Sequence, residues 1–454
     1  MCKIPLNFVI VKGNFVLCKA FYYKNVNFSP ESGVLTLNYG VDAREQFTET
    51  FTFPGAPFAV SARKKQALDQ IFRLLHIAAG ISYYKAFLPE KMILKNGGLT
   101  PEEAAFFERF YVNGLGEFAV RNHLNLQGKI HFPCDKKVRR IAIDLRLPYN
   151  ALIPIGGGKD SCVVTELIKM TDLPAMTVAV GAPRPIRECM AVAGLPSVVL
   201  TRQIDPHLLE LNQAGKTLNG HVPITGILAF VLWAAAILYD KKYVVMSCER
   251  SANSGNMKQG ELEVNHQYSK SLTFEQDFYQ ITQTITPDFR YFSLLRPLSE
   301  AHIAKLFSRL CPAYFNVFTS CNRAFRLDES KRLDRWCGDC DKCRFVFLIL
   351  APFMNRETLI RLVGKNPLDD ESQMNGWREL LGLAGHKPFE CVGEIAESRW
   401  ALAQLANRTE WQNDAVVRQL SPAITGCEAG LIFTPATAHL IPEELSNVLE
   451  QFRR

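Results

Sequence analysis

The chain has 454 residues, with 52 Lys and Arg against 45 Asp and Glu, a net charge of +7. Apolar residues make up 48% and charged residues 21%, which excludes a disordered, collagenous or fibrous chain. At about 150 residues per domain, two or three domains are expected. So small a charge excess fits a polyanionic small substrate and does not by itself imply a nucleic-acid surface. Thirteen cysteines, an odd number in a long chain, argue against a disulfide scaffold and for a reducing compartment. The opening MCKIPLNFVIVKGNF lacks signal architecture, because Pro5, Asn7 and Lys12 interrupt its apolar run and no small-residue cleavage site follows. A cytoplasmic protein is expected.

The first stretch reads as α+β. Val34 to Tyr39 and Phe47 to Phe53 alternate around a polar turn, as in a hairpin. Apolar residues at helical spacing predict an amphipathic helix over Ala62 to Tyr84. Thr100, Pro101 and Glu103 form the signature of a capped helix start.

The middle alternates β and α. Strands are expected at Asn150–Ile155, Pro174–Val180, Ser197–Thr201 and up to Ser247, with helices after the first (to about Met170) and at Ile186–Ala193. Val222 to Tyr239 carries no charge over 18 residues, the lower limit for a spanning helix. A strand-like Tyr243–Met246 follows it, so a helix buried against a sheet is expected rather than a membrane span. The pattern predicts a doubly wound parallel sheet. After Pro352 it turns helical, as in Arg356–Val363 and Arg399–Ala406. Three domains are therefore expected: an N-terminal α+β domain over 1–140, a central nucleotide-binding domain over 141–350, and a mainly helical domain over 351–454.

The strand ending at Ile155 runs into Gly156-Gly157-Gly158-Lys159-Asp160-Ser161. Consecutive glycines let backbone N–H groups turn onto an anion. Ser161 is placed to cap the following helix, whose N-terminus favours phosphate. Lys159 is a candidate for a phosphate, and Asp160 for a magnesium ion bridging phosphates. The spacing is too short for a Walker A loop.

Cys337, Cys340 and Cys343 sit at two overlapping two-residue gaps, with Cys321 upstream. Four thiolates satisfy tetrahedral zinc, and a closed four-Cys shell is structural. Acid–base signals are weaker. Ser247–Asn253, Asn265–Lys270 and His386–Cys391 are polar runs that offer a base or carboxylate contacts, and equally read as hydrogen-bonded loops. Cys248, His266 and Cys391 are the candidate bases, with Arg250, Asn253 and Lys270 as candidate substrate contacts. A thiol needs a cation beside it to act as a base at neutral pH, and Arg250 or Lys387 is expected to serve Cys391 or Cys248. Arg296 and the basic run Lys136–Arg140 are further candidates for phosphate.

The glycine hexapeptide resembles the PP-loop of ATP pyrophosphatases, usually Ser-Gly-Gly-x-Asp-Ser; Gly157, Gly158, Asp160 and Ser161 match, and Gly156 replaces the usual serine. Further stretches carry a more specific resemblance: TFPGAPF (Thr52–Phe58), GISYYKA (Gly80–Ala86), PIGGGKDS (Pro154–Ser161), SCERSANSGN (Ser247–Asn256), VNHQYSKS (Val264–Ser271), YFSLLRPLSE (Tyr291–Glu300), RWCGDCDKCRFVFL (Arg335–Leu348) and HKPFECVGE (His386–Glu394). Together they resemble the ATP-dependent UDP-N-acetylmuramoyl-L-alanyl-L-glutamate epimerase (MurL) family.

That resemblance implies a PP-loop fold, a UDP-linked muramoyl dipeptide substrate, ATP, Mg2+ and a structural Zn2+. It implies inversion of the terminal L-Glu to D-Glu in peptidoglycan precursor synthesis. Adenylation of the α-carboxylate would remove the negative charge that makes the Cα–H a very poor acid. Nucleic acid, membrane and an obligate protein partner are not expected. The alternatives are another PP-loop adenylating enzyme, such as a tRNA- or base-modifying or amide-forming one, and a zinc-braced scaffold with a degenerate loop.

Overall fold

The computed structural model describes residues 18–259, 262–326, 329–424 and 429–450; the reading of the amino-terminal run falls outside them. The elements in chain order are β1 (Ala20–Ser29), β2 (Val34–Val41), β3 (Glu45–Thr52), α1 (Ala62–Phe87), β4 (Lys91–Leu94), α2 (Pro101–Gly114) and α3 (Gly116–Arg121). Next come β5 (Ala151–Pro154), α4 (Lys159–Lys169), β6 (Ala175–Val180), α5 (Arg184–Ala193), β7 (Ser197–Gln203), α6 (Pro206–Gln213), α7 (Ile224–Leu238) and β8 (Tyr243–Met246). A short hairpin, β9 (Met257–Gln259) and β10 (Leu262–Val264), precedes α8 (Leu272–Gln283), β11 (Arg290–Ser293) and α9 (Glu300–Leu310). The rest of the described chain is helical: α10 (Asp341–Leu350), α11 (Arg356–Val363), α12 (Met374–Leu380), α13 (Ile395–Ala406), α14 (Ala415–Leu420), α15 (Ala429–Phe433) and α16 (Glu443–Ser446).

The large sheet has the order β11-β8-β5-β6-β7-β3-β2-β1-β4. Strands β11, β8, β5, β6 and β7 are mutually parallel, and the wedge β3-β2-β1 is antiparallel. Chain order steps one way from β5 to β7 and then jumps to the other side at β8. The switch point between β5 and β8 is where open α/β sheets place ligands. The β3–β7 ladder, Thr50 opposite Gln203, joins the first 140 residues to the central segment by hydrogen bonds.

Two apolar cores cover the two faces. One packs α1 and α7 with the aromatic strands β1 to β3; the other packs α4, α5 and α9 with α10 to α14. The uncharged stretch forms α7, only 15 residues long, with Phe230, Val231, Trp233 and Ala234 buried. Among the described residues no helix is long and apolar enough to cross a membrane. The Thr100 capping box is present, with Glu103 reaching back to the Thr100 N–H at 3.0 Å.

Candidate active site

The glycine loop leaves the carboxyl end of β5 at the switch point. Gly157 has φ +79°, a region that favours glycine. Helix α4 starts at Lys159, with Gly158 at the cap position in extended conformation. Ser161 therefore lies inside the first turn rather than capping it as expected. Its Oγ donates to the Gly158 carbonyl at 3.1 Å and accepts from the Gly156 N–H at 3.4 Å. The loop is buttressed from the cysteine segment. Thr319 N–H donates to the Gly157 carbonyl at 2.8 Å, and a Cβ on Gly158 would meet Ser320 Oγ at 2.8 Å.

Lys159 turns inward. The residue is 1% exposed, and its ammonium pairs with Asp160 and Glu300. Burial opposes that charge, but the two carboxylates hold the ammonium protonated well above its usual range. Asp160 remains on the wall of a cavity of about 300 Å³, lined also by Gly156, Thr225, Leu228, Met246, Cys248, Glu249 and Lys270. Burial works against the Asp160 carboxylate, yet Lys159, Lys342 and Lys270 hold it below the usual carboxylate range.

The candidate bases converge. Lys270 Nζ donates to Cys391 Sγ at 3.1 Å, and His266 lies near enough to favour the thiolate. Burial alone would raise the Cys391 thiol; Lys270, His266 and Lys342 overcome it and bring it down to about 5. Burial likewise opposes a charged His266, but Cys391 and Glu117 raise it to about 9. The result is a thiolate–imidazolium pair. Cys248 differs. It is 6% exposed, and burial pushes its thiol up to about 11, with Arg296 and Lys270 only partly compensating. Lys270 thus lies in the field of both thiols and of Asp160.

Several expectations are corrected. Arg250 does not activate a thiol: its guanidinium donates to the carbonyls of Leu431, Ile432 and Thr434, holding α15. Lys387 is buried, with no hydrogen-bond partner for Nζ among the described residues; Lys270 and Lys342 do the work expected of these two. Asn253 Oδ1 accepts from the Leu272 N–H at 2.7 Å at the start of α8, which uses its acceptor for structure. Arg296 is 1% exposed and pairs with Glu275 at 2.8 Å. It also donates to the carbonyls of Glu249 and Lys270, so it organises the site's backbone instead of meeting phosphate. Arg140 ends the basic run in a buried pair with Glu103. The sequence reading missed Glu117, His221, Glu300 and Lys342. Glu300 and Lys342 lie within stretches that carry the family resemblance but carried no signal of their own there, while Glu117 and His221 lie outside every motif, and only the fold brings the four to the site.

The sulfurs of Cys321, Cys337, Cys340 and Cys343 all lie within 4.8 Å of one another, with Cys343 Sγ 3.4 Å from Cys340 Sγ and 3.6 Å from Cys337 Sγ. Zn–S bonds of ~2.3 Å in a tetrahedron require sulfurs about 3.8 Å apart, so the donor set fits zinc.

Residues 15–294 match the family model described as the MurL N-terminal domain, and residues 317–430 the model described as the MurL C-terminal domain. This chain belongs to the MurL family. It is 43% identical over 400 residues to a protein of Xanthomonas oryzae pv. oryzae named UDP-N-acetyl-alpha-D-muramoyl-L-alanyl-L-glutamate epimerase, covering 88% of each chain. Proteins of the same name from Salinispora tropica and Micromonospora sp. are each 38% identical, over 95% of this chain and 95% and 98% of theirs. Within this MurL chain, the matched regions hold both the glycine loop and the converged Cys391, His266 and Lys270.

Proposed function

We propose that this chain is an ATP-dependent epimerase that inverts the terminal L-Glu of UDP-N-acetylmuramoyl-L-alanyl-L-glutamate. The observation that carries this reading is the pair Lys270 and Lys342, which stabilise the anionic forms of both Asp160 in the glycine loop and Cys391. One site then holds a phosphate loop and an activated base, and the relatives' name supplies the substrate.

In this reading the glutamate α-carboxylate attacks the α-phosphorus of ATP and releases diphosphate, giving an acyl-adenylate. Gly156, Gly157, Gly158 and Ser161 cradle the phosphates. Lys159 balances the local negative charge from within, and Asp160 would hold the magnesium ion that neutralises phosphate charge. With the carboxylate charge gone, a base removes the α-proton and the C–H electron pair delocalises into the acyl group. Inversion needs a deprotonated group on one face and a protonated one on the other. Cys391 as thiolate and Cys248 as thiol are in those two states at neutral pH. Water then cleaves the acyl-adenylate to AMP and the D-Glu product. The four cysteines would hold zinc as a brace with no part in these steps. The chemistry is that of a peptidoglycan precursor enzyme.

The test is one incubation of purified protein with the UDP-linked dipeptide, ATP and magnesium in deuterated water. AMP together with deuterated D-Glu supports the reading. Intact ATP, or AMP with undeuterated L-Glu, overturns it and redirects attention to other PP-loop acceptors.

A further inference from the structure

Glu117 sits on the short helix α3, far in sequence from every motif, yet the residue is 6% exposed and its carboxylate faces two imidazole rings. Its Oε2 is 2.5 Å from His266 Nδ1 and 3.5 Å from His221 Nδ1, and its Oε1 is 2.5 Å from Arg121 Nε. A ring that donates Nδ1–H to a carboxylate has its other nitrogen, Nε2, free to serve a second partner. Cys391 lies close enough to His266 for the two to favour each other's charged form. The His221 and His266 rings pack with centroids 4.5 Å apart.

We infer that Glu117 is the positioning residue of a Glu117–His266–Cys391 relay, which fixes the His266 ring and its positive charge so that Cys391 is a thiolate before substrate arrives. The inference rests on the proposed proton-abstraction chemistry and deepens it. Both N–H groups of a buried imidazolium need a hydrogen-bond partner. The Glu117 carboxylate takes the Nδ1–H and so fixes the orientation of the ring. Burial works against Glu117, but His266, His221 and Arg121 hold it ionised. Burial and the adjacent His266 depress His221 to about 4, so a single ring carries the charge. The groups facing this relay are Lys270 and Lys342 on Cys391, Glu390 beside it, and Arg121 and His221 on Glu117.

A divalent cation is the competing occupant, because Glu117, His221 and His266 place three ligand atoms within 4.8 Å. Ligands at ~2.1 Å from a tetrahedral zinc ion lie about 3.4 Å apart. The 2.5 Å contact between Glu117 and His266 is instead that of a hydrogen bond.

The test compares the full-length protein with Glu117→Gln and Glu117→Asp. The rate of Cys391 alkylation by iodoacetamide is read against pH by peptide mass spectrometry, alongside kcat and KM for α-proton exchange and the zinc content. In Glu117→Gln the alkylation midpoint should move up from about 5 toward the ~8.5 of a free thiol. The kcat for exchange should fall about 100-fold with KM values unchanged, and Glu117→Asp should recover part of both. An unchanged midpoint in folded Glu117→Gln overturns the inference. So does a second zinc equivalent bound by the wild type and lost in that variant. Should Glu117→Gln not fold, His266→Gln must show the same raised midpoint, and an unchanged one overturns the relay. A wild-type protein with the low midpoint but no α-proton exchange would sink the proposed reaction and leave the relay standing.

Discussion

Lys270 Nζ donates to Cys391 Sγ over 3.1 Å, across 121 residues of sequence. The ammonium belongs to the turn after the β9–β10 hairpin, the thiol to the loop before α13. Arg296 donates to the Lys270 carbonyl at 2.6 Å and to the Glu249 carbonyl at 2.8 Å. One buried guanidinium therefore ties the lysine's turn to the loop that follows β8.

The pH dependence of α-proton exchange follows from the thiolate–imidazolium pair. Below about 5 the Cys391 thiolate takes a proton and the base is lost. Above about 9 His266 gives up its proton and the thiolate loses its charged partner. With Cys391 as the base and Cys248 as the acid, the rate should rise through about 5 and fall only as Cys248 ionises near 11, measured as kcat/KM for deuterium exchange from about pH 4 to 11. A limb near 8.5 in place of the acidic one would mean an unactivated thiol.

Lys270→Met should raise the Cys391 thiol and slow its alkylation at pH 6.5 by about tenfold or more, since one pKa unit corresponds to a tenfold change in thiolate fraction. Exchange should fall in parallel, while ATP binding, read by calorimetry, should weaken less. Equal loss of both would place Lys270 on the nucleotide instead.

Asp160 and Lys159, adjacent in sequence, should behave differently. Asp160→Ala should abolish AMP release, a loss of about 100-fold or more, and leave the protein folded. Lys159→Met removes a buried ammonium from between Asp160 and Glu300 and should cost about 3–5 kcal/mol of stability as well as activity. Urea denaturation midpoints of the two variants separate these roles. Full activity in Asp160→Ala would overturn the loop assignment.

The cysteine site should bind one zinc per chain, and its removal should reach the glycine loop. Thr319, two residues before Cys321, donates to the Gly157 carbonyl at 2.8 Å, so loosening the cysteine segment frees the loop. A strong chelator, or Cys337→Ser with Cys340→Ser, should release the metal, lower the melting temperature and weaken ATP binding together. Unchanged ATP affinity in metal-free protein would separate the two sites.

Local chemistry alone determined much of this protein. Alternation, glycines and caps located β2, β3, α1, α2 and the β5–loop–α4 unit, because period, turn and cap are properties of neighbouring residues. The cysteine spacing gathered three sulfurs within seven residues, and the fourth, Cys321, joins them as expected. The charge-free stretch read as a buried helix because a strand follows it, and α7 is that helix. What no local pattern carries is which way a long side chain turns. Lys159 points to Glu300 rather than outward because burial beside two carboxylates outweighs exposure to solvent, and Arg250 is taken by the carbonyls of α15. Glu117, His221 and Lys342 stand on α3, the loop before α7, and α10. Lys342 reaches Cys391, and Glu117 and His221 reach His266, only when the cores on both faces of the sheet bring those elements together. Charge partners in a low-dielectric site are chosen by distance through space, and that distance is decided by packing rather than by sequence separation.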